Sequence, residues 1–212
     1  MQPPSAPLIE TWDGLMPYAE AIARMEAIVA DVLTGAPERL IFCEHPPVLT
    51  VGSSGKITDI TDAGNIPVIA TGRGGQVTYH GPGQRVIYLV VRLERWGKDV
   101  RAYVRWLQEW LIAGLAELGV TALRLDEIGV WVETPKGLAK IAAIGIRVRK
   151  GVAYHGIALN VAPDLAVYQR FIPCGITDKG VTSLADVAAS YGMAAVDAAL
   201  IKALQQILPL RS

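Results

Sequence analysis

The sequence lacks an excess of charge of either sign. Its 212 residues hold 20 lysines and arginines against 20 aspartates and glutamates. A protein attracted to nucleic acid or anionic lipid through its overall field needs a net positive charge. The balance excludes that kind of attraction, so any charged partner must be recognised by a local group of residues.

Long apolar runs are also missing. The longest is VIYLVV at residues 86–91, and a membrane span needs ~18 apolar residues. The first residues, MQPPSAPLIE, contain no basic stretch followed by an apolar one, so they do not resemble a secretion signal. We expect a soluble cytoplasmic protein.

Cysteine is scarce, since the sequence holds only Cys43 and Cys174. Two cysteines are too few for a disulfide framework and are typical of a reducing compartment. Cys43 follows three apolar residues, where a cysteine usually acts as a small core residue. Cys174 lies between Pro173 and Gly175, in a turn that can present a thiol. An inert loop cysteine is the alternative, and a nucleophile would need a base nearby.

The remaining composition is that of a folded domain. Hydrophobic residues make up 51% of the chain and charged residues 19%, which is enough apolar surface to build a core. Domains usually span about 100 to 200 residues, and neither a repeat nor a low-complexity tract divides the sequence. We expect one domain over residues 1–212.

Two segments have the apolar spacing of amphipathic helices. The first covers residues 16–33 and is followed by Gly35, which can end it. The second begins after Asp99, a candidate N-cap, and keeps its apolar stripe until Gly119. Two shorter helices are predicted around residues 183–189 and 195–208.

The other segments are typical of short strands joined by turns. Strands are predicted at residues 39–43, 48–52, 67–70, 84–93, 129–133, 138–149 and 152–161. Hairpin turns are predicted at residues 135–137 and 149–151, where proline, lysine and glycine interrupt the pattern. The sequence therefore predicts an α+β fold with helices against a largely antiparallel sheet.

A glycine-rich segment, RGGQVTYHGPGQ at residues 73–84, is the first candidate site. Glycines at this density let the backbone approach a ligand closely, and their N–H groups can bind a carbonyl oxygen or an oxyanion. A tight connection between strands is the alternative. The arginine, threonine, histidine and glutamine among the glycines favour a site.

Lys140 is the second candidate, because it is one cation in the apolar stretch LAKIAAIG. Burial there would favour the neutral amine, which can accept a proton. A lysine that extends to solvent from a sheet edge is the alternative. Beside Cys174, a protonated Lys140 would stabilise the thiolate, and a neutral Lys140 could accept a proton. Lys140 is therefore a candidate base.

The three histidines are His45, His80 and His155. A zinc site made of histidine and cysteine must be considered, but no local pair has ligand spacing and no carboxylate-rich motif accompanies them. His45 precedes two prolines and is expected to cap a turn. His80 and His155 could equally be structural histidines.

Four motifs occur in order along the chain: RGGQVTYHGPGQ, the lysine in AKIAAIG, HGIALNV, and the cysteine in IPCGI. Together they resemble the octanoyltransferases of lipoate biosynthesis, the lipoyl(octanoyl) transferase family. The resemblance implies the fold of the lipoate- and biotin-protein ligases. It also implies that Cys174 attacks the thioester of octanoyl-acyl carrier protein and that Lys140 activates the thiol.

The same resemblance implies the partners and the pocket. The acceptor would be the lysine of a lipoyl domain, in 2-oxoacid dehydrogenase complexes or the glycine cleavage H protein, and neither ATP, another cofactor nor a metal would be required. Small residues would leave a narrow apolar slot for an alkyl chain. The implied pocket residues are Arg73, Gly74, Gly75, Gln76, Val77, Thr78, Tyr79, His80, Ala143, Ile144, Gly145, Gly156, Ile157 and Ala158.

Two alternatives remain open at this point. An ATP-dependent lipoate-protein ligase would share the fold and the acceptor but would form an adenylate and need no cysteine nucleophile. A catalytically idle module that only binds an acyl group or a carrier would form no acyl adduct at all.

Overall fold

A mixed sheet runs through the part of the chain that the computed structural model describes, residues 6–171 and 179–208. Its strands are β1 (Leu8–Leu15), β2 (Arg39–Glu44), β6 (Gln84–Arg92), β7 (Ala122–Leu123), β8 (Val130–Thr134), β9 (Gly137–Arg149), β10 (Val152–Asn160) and β11 (Gly180–Val181). Their order is β1-β2-β6-β10-β9-β8-β7, with β11 beside β9. The pairs β1–β2 and β9–β11 are parallel and the others antiparallel.

A second, smaller sheet has three strands. They are β3 (Val48–Val51), β4 (Val68–Ala70) and β5 (Val77–His80), in the order β4-β3-β5. One side of this sheet packs with Val167 and Phe171 into a separate apolar cluster. Its loops reach back to the main sheet, as the hydrogen bond from Gly74 N to Ile146 O (2.8 Å) illustrates.

Helices cover both faces of the main sheet. They are α1 (Tyr18–Leu33), α2 (Val100–Glu117), α3 (Leu184–Val187) and α4 (Met193–Ile207), with short 3₁₀ helices at Ile57–Asp59, Leu93–Trp96 and Leu165–Arg170. Helix α1 packs on one face, and α2 with α4 on the other. Within the described ranges no helix is long and apolar enough to cross a membrane.

Strand β6 explains why the sequence contains a continuous apolar run in place of an alternating one. Tyr88 and Val90 belong to the cluster that contains α1, whereas Ile87 and Leu89 belong to the cluster that contains α2 and α4. A strand that is covered on both faces needs apolar side chains in both directions. The strand therefore lies in the centre of the protein.

The ends of α2 are fixed by local chemistry, as the sequence predicts. The Asp99 side chain accepts hydrogen bonds from the backbone N–H groups of Arg101 (2.7 Å) and Ala102 (3.1 Å). Gly119, just past the helix, has φ +74°, a left-handed conformation that glycine adopts without a Cβ clash. The predicted N-cap and helix end are confirmed.

The α+β fold class is confirmed, but two strands, β1 and β5, were not predicted from the sequence. Strand β1 pairs with β2 at the sheet edge and is mostly exposed, so its residues lack a clear alternation. Strand β5 lies inside the glycine-rich segment, and the glycines on both sides make this four-residue strand hard to recognise from the sequence. Both strands are defined by their pairing partners more than by their own composition.

A buried ion pair ties the start of β2 to the turn after β6. Glu38 Oε2 lies 2.7 Å from Arg95 Nη2, and both side chains are less than a tenth exposed. Glu38 Oε1 also accepts a hydrogen bond from the backbone N–H of Arg92 at 2.7 Å. One carboxylate therefore accepts hydrogen bonds from two residues of the other segment.

We expect the substitution Glu38→Ala to lower the free energy of unfolding by about 3–5 kcal/mol, because it removes the carboxylate that compensates a buried guanidinium. Urea denaturation at pH 7 measures the change. Glu10→Ala is the matched control. It breaks a 2.7 Å pair with Arg39 that is exposed to solvent, and such pairs contribute about 0–1 kcal/mol. Equal losses in the two variants would contradict the assignment.

Candidate active site

The glycine-rich segment is organised by one buried cation. The Arg73 guanidinium donates to Thr50 O (2.8 Å), Thr50 Oγ1 (2.7 Å), Gly74 O (3.0 Å) and Gln76 O (2.9 Å). It therefore binds its own loop and the neighbouring strand β3 at once. A buried charge requires such partners, so the side chain fixes the path of the backbone from Arg73 to Gln76.

Strand β5 sends alternate side chains in opposite directions. Thr78 and His80 line a cavity, whereas Val77 and Tyr79 pack into the apolar cluster of the second sheet. Successive residues of a strand point to opposite faces, so a continuous motif cannot line one pocket along its whole length. The expected pocket roles of Val77 and Tyr79 therefore do not fit the structure.

The space between the lining residues of this cavity, including the solvent at its opening, is about 460 Å³, and the cavity lies against the α1 face of the sheet. All the residues expected from the motifs line it except Gly74, Val77 and Tyr79, and Gly74 lines the cleft beside it. The lining residues are Tyr18, Arg73, Gly75, Gln76, Thr78, His80, Val86, Tyr88, Ala143, Ile144, Gly145, His155, Gly156, Ile157 and Ala158.

Two glycines keep the cavity narrow and the strands close. A Cβ on Gly156 would lie 2.1 Å from Ile87 O of the adjacent strand β6. A Cβ on Gly145 would lie 2.9 Å from Gly74 O of the glycine-rich segment. Any larger residue would push the strand or the loop away, so both positions require glycine for packing.

His155 is turned into the cavity by an unusual backbone conformation. Its φ is +63°, and a non-glycine residue in this region costs of the order of 1–3 kcal/mol. Strict alternation along β10 would direct it with Ala153 toward α2. Instead its ring lies against Tyr154 (5.1 Å) and Tyr88 (6.4 Å). Strain of this kind is concentrated at functional sites.

The closed end of the cavity holds a group of rings that we call the His–Tyr cluster: Tyr18, His45, His80, Tyr88 and His155. Their rings touch in sequence, with the Tyr18 and His80 planes stacked at 5.8 Å and the His45 and His80 centroids 5.7 Å apart. All three histidines are candidates in the sequence, but no sequence pattern predicts that they meet.

Hydrogen bonds fix the tautomers in this cluster. His45 Nδ1 lies 2.6 Å from Met16 O and must donate to it, so Nε2 accepts the Tyr88 hydroxyl at 2.7 Å. The Gln84 amide nitrogen donates to Tyr79 O and other oxygens, which directs its Oε1 toward His80 Nδ1 at 2.7 Å. His80 therefore carries its proton on Nδ1.

All the members of the cluster are neutral at pH 7. Burial lowers the pKa of His45 and lowers that of His80 well below 6.5, with further lowering by His45 and Arg73. Burial, followed by the charges of Arg73 and Arg147, lowers the pKa of His155 from 6.5 to about 4. Burial raises the pKa of Tyr18 to about 12 and that of Tyr88 well above 10. The closed end therefore presents uncharged groups.

Lys140 lies at the other end, in an open cleft that shares Gly75, Gln76, Ile144 and Gly145 with the cavity. Its side chain is 7% exposed. Its Nζ lies 4.7 Å from the centroid of the Trp131 ring, a cation–π distance. The cleft therefore connects the lysine to the cavity mouth.

A β-bulge determines the side on which Lys140 lies. Lys140 pairs with Trp131, but the next pair along β8 and β9 is Ala142 with Val130, so Ile141 is an extra residue. Ile141 and Ala142 both pack in the core against α2. The extra residue lets Lys140 share a face with the cavity residues Ala143 and Gly145. Bulges redirect side chains in this way near active sites.

Lys140 is held by neighbours on both sides of β9. Val181 of β11 pairs with it, and Thr182 N donates to Lys140 O at 3.0 Å. Lys179 lies 5.7 Å from the Trp131 ring and forms a 2.6 Å ion pair with Glu127, which lines the same cleft. Trp131 was not predicted from the sequence, because an aromatic residue in a strand normally indicates core packing.

A chain of polar contacts links the two ends of the site. Gln84, which holds His80, donates to Asn160 Oδ1 at 2.9 Å, and Asn160 Nδ2 donates to Thr182 O at 3.0 Å. Thr182 is the residue that binds the Lys140 backbone. These buried amides therefore fix β5, β6, β10 and the segment after β11 relative to one another.

Of the two cysteines, only Cys43 lies among the described residues. Cys174 lies outside the described residues. Cys43 is fully buried, its Sγ is 3.9 Å from His45 Nε2, and burial raises its pKa to about 12. A thiol that stays protonated is a poor nucleophile, so Cys43 acts as a core residue. In the described ranges no group of three or more histidine, cysteine or acidic residues is placed to hold a metal ion.

Comparisons with known proteins agree on the family. Residues 17–205 match the lipoyl protein ligase A/B catalytic domain. The chain is 52% identical over 198 residues to an octanoyltransferase of Parvibaculum lavamentivorans, covering 91% of this chain and 88% of the relative. It is 48% identical over 205 residues to one of Dinoroseobacter shibae, covering 92% and 93%.

The fold also resembles that of solved structures. One is a bipartite lipoate protein ligase of Thermoplasma acidophilum, which superposes with a TM-score of 0.79 at 20% sequence identity. The match covers 97% of this chain and 86% of that one. At this identity the likeness concerns the fold, and it confirms the expected ligase-like architecture.

We expect the protein to lose stability between pH 7 and pH 5. Each histidine has a folded-state pKa below its unfolded value of about 6.5, so the unfolded chain binds more protons as the pH falls. The stabilisation is complete above pH 6.5 and is lost as the pH approaches the folded pKa. For His155 the loss reaches roughly 3 kcal/mol near pH 4.

Urea denaturation at pH 7, 6 and 5, together with NMR titration of the imidazole protons, measures this effect. His155→Asn is the matched variant, because asparagine tolerates a left-handed conformation but does not titrate. It should have a shallower pH dependence than the parent protein. Constant stability from pH 7 to 5, or imidazoles that titrate near 6.5 in the folded protein, would refute the assignment.

Proposed function

The chain belongs to the lipoyl protein ligase A/B catalytic domain family, and from this premise we propose that it transfers an octanoyl group from octanoyl-acyl carrier protein to a lipoyl-domain lysine through a thioester on Cys174. Octanoyl transfer for protein lipoylation is the activity of its relatives at about 50% identity, and it is the activity of this chain. The chain is therefore an acyltransferase.

The observation that carries the proposal is the connection between cavity and cleft. The cavity walls are largely aliphatic side chains and glycine backbone, and its closed end is uncharged. An alkyl chain in the cavity places its carbonyl at the mouth formed by Gly75, Gln76, Ile144 and Gly145. Lys140 lies in the cleft beyond that mouth, which is where a base for acyl transfer is needed.

Sequence position supports Cys174 as the thiol that acts with Lys140. Cys174 comes three residues after Phe171 and six before Gly180. Phe171 forms a β-bridge to Ile60 of the segment that precedes β4, and Gly180 pairs with Ala139 beside the lysine. The other cysteine, Cys43, is enclosed in the core.

The proposed reaction has two steps. The Lys140 amine takes the proton of the Cys174 thiol, and the thiolate attacks the thioester carbonyl of the donor. The tetrahedral intermediate then expels the carrier thiolate, which takes the proton back from Lys140. The product of this step is octanoyl-Cys174 and a carrier with a free thiol.

In the second step the acceptor amine attacks octanoyl-Cys174 and gives a proton to Lys140. The intermediate expels the Cys174 thiolate, Lys140 returns the proton to it, and an amide-linked octanoyl group remains on the acceptor. Backbone N–H groups near Gly75 are the candidate donors to the oxyanion. Gly74 N is excluded from this role because it donates to Ile146 O.

The proposal extends to partners and setting. The acceptors are lipoyl domains of 2-oxoacid dehydrogenase complexes and the glycine cleavage H protein, and the donor is an acyl carrier protein of the cytoplasm. A reducing cytoplasm keeps the Cys174 thiol free. Because a single sheet connects the amino-terminal strand to the segment after Lys179, we assign residues 1–212 to one catalytic domain.

The first test is to incubate the purified protein with octanoyl-acyl carrier protein in the absence of ATP and to analyse it by intact and peptide mass spectrometry. We expect an octanoyl increment on the peptide that contains Cys174, discharged when a lipoyl domain is added. Cys174→Ala should abolish the adduct and the transfer. Cys43→Ala is the matched control and should leave both largely intact.

Two results would overturn the proposal. Equal loss in the two cysteine variants would remove Cys174 from the mechanism. An increment that forms only when ATP and free octanoate are supplied would identify an ATP-dependent ligase instead.

Lys140→Ala should slow formation of the acyl-enzyme by on the order of 10²- to 10⁴-fold, the contribution of a general base. Single-turnover acylation over pH 6 to 9 measures the effect. Lys136→Ala is the matched control, since Lys136 is exposed in the turn before β9. An acylation rate that Lys140→Ala leaves unchanged across this pH range would exclude a proton-transfer role for Lys140.

A further inference from the structure

One side of the cleft opens onto a surface that combines apolar and basic side chains. Its apolar members are Val100 at the start of α2 and Val148 near the end of β9, each 39% exposed. Val104 and Ile146 continue the apolar strip into the cleft toward Lys140. Exposed cations lie on α2 and on the segments that flank α2 and β9: Lys98, Arg101, Arg105 and Lys150.

Backbone contacts hold these two elements together. Leu93 N donates to Gly151 O at 2.9 Å, and Lys98 N donates to Leu93 O at 2.9 Å. The turn after β9 is therefore fixed to the segment that leads into α2. We call the surface formed by Lys98, Val100, Arg101, Arg105, Val148 and Lys150 the α2–β9 face.

The α2–β9 face is more positive than the protein as a whole. Its four cations are accompanied by the two carboxylates of Glu94 and Asp99, whereas the whole chain has a net charge of zero. The Asp99 carboxylate is engaged as the cap of α2, and it lies 3.9 Å from Arg105. A local excess of cations around an apolar strip favours an acidic protein partner.

Other basic residues in this part of the chain are committed elsewhere. The Arg95 guanidinium is buried against Glu38, and the Arg92 side chain binds the Val32 carbonyl oxygen. The Arg147 guanidinium lies over the Tyr154 ring, and Arg149 pairs with Val152, so both arginines lie on the opposite side of β9 from Val148. The α2–β9 face therefore contains the cations that remain exposed beside the apolar strip.

We propose that the α2–β9 face docks the acyl donor, an acidic acyl carrier protein. This inference rests on the proposed function. A carrier holds its acyl group on a long phosphopantetheine arm, so it can dock at the outer end of the cleft while the thioester reaches Lys140. The acceptor lysine has a short side chain and must approach the cavity mouth directly. The cations of the face also attract the phosphodiester of the arm.

The test compares two donors that carry the same acyl group. The double variant Arg101→Glu/Lys150→Glu reverses charge on α2 and on the turn after β9, and it is assayed with octanoyl-acyl carrier protein and with octanoyl-pantetheine, which has no protein surface. We expect the KM for the carrier to rise by on the order of tenfold or more. The KM for octanoyl-pantetheine and both kcat values should be unchanged. Added salt should raise the carrier KM of the parent protein but affect the variant less.

Arg24→Glu is the matched control, because Arg24 lies on α1 at the opposite face of the sheet and is half exposed. It should leave the carrier KM unchanged. An unchanged carrier KM in the double variant would overturn the proposal, and so would a raised KM for the lipoyl domain alone. Failure of the parent protein to transfer octanoyl from either donor would contradict the proposed function instead.

Discussion

The buried guanidinium of Arg73 is the interaction on which the site depends. A guanidinium that is removed from water needs hydrogen-bond acceptors, and Arg73 donates to oxygen atoms of Thr50, Gly74 and Gln76. These contacts attach the glycine-rich segment to β3 of the small sheet, and the hydrogen bond from Gly74 N to Ile146 O attaches the same segment to the large sheet. The segment thereby forms the wall between cavity and cleft. The same positive charge contributes to the lowered pKa of His80 and His155. One side chain therefore shapes the cavity and also sets its electrostatics.

Neutrality at the closed end explains how a pocket with three histidines can hold an alkyl chain. A charged imidazole would have to keep water beside it, and the water would compete with the chain for the cavity. Burial keeps the rings uncharged, and the charge of Arg73 adds to this effect at His80 and His155. The hydrogen bonds to Met16 O and Gln84 Oε1 fix the tautomers of His45 and His80. The polar groups then satisfy one another, and the alkyl chain meets the remaining ring surface.

The sequence predicted the parts of the site that depend on residue type and missed those that depend on pairing. The Asp99 cap of α2 and the candidate base Lys140 follow from local chemistry, and the motifs identified the family and, through it, the pocket glycines at 145 and 156. The alternation of β5, which removes Val77 and Tyr79 from the cavity, requires that β5 be recognised as a strand. The left-handed conformation of His155 depends on contacts with distant elements. No local pattern encodes such contacts.

The bulge at Ile141 determines on which face of β9 the proposed base lies. Without the extra residue, strict alternation would place Lys140 on the face of β9 that packs against α2, and its ammonium would enter the apolar core. The bulge moves Lys140 to the cavity face while Ile141 and Ala142 both remain in the core. Trp131, opposite Lys140, turns its ring to the ammonium, and β11 holds the backbone from the other side. A one-residue irregularity in the ladder therefore lets the same strand complete the core and supply the proposed base.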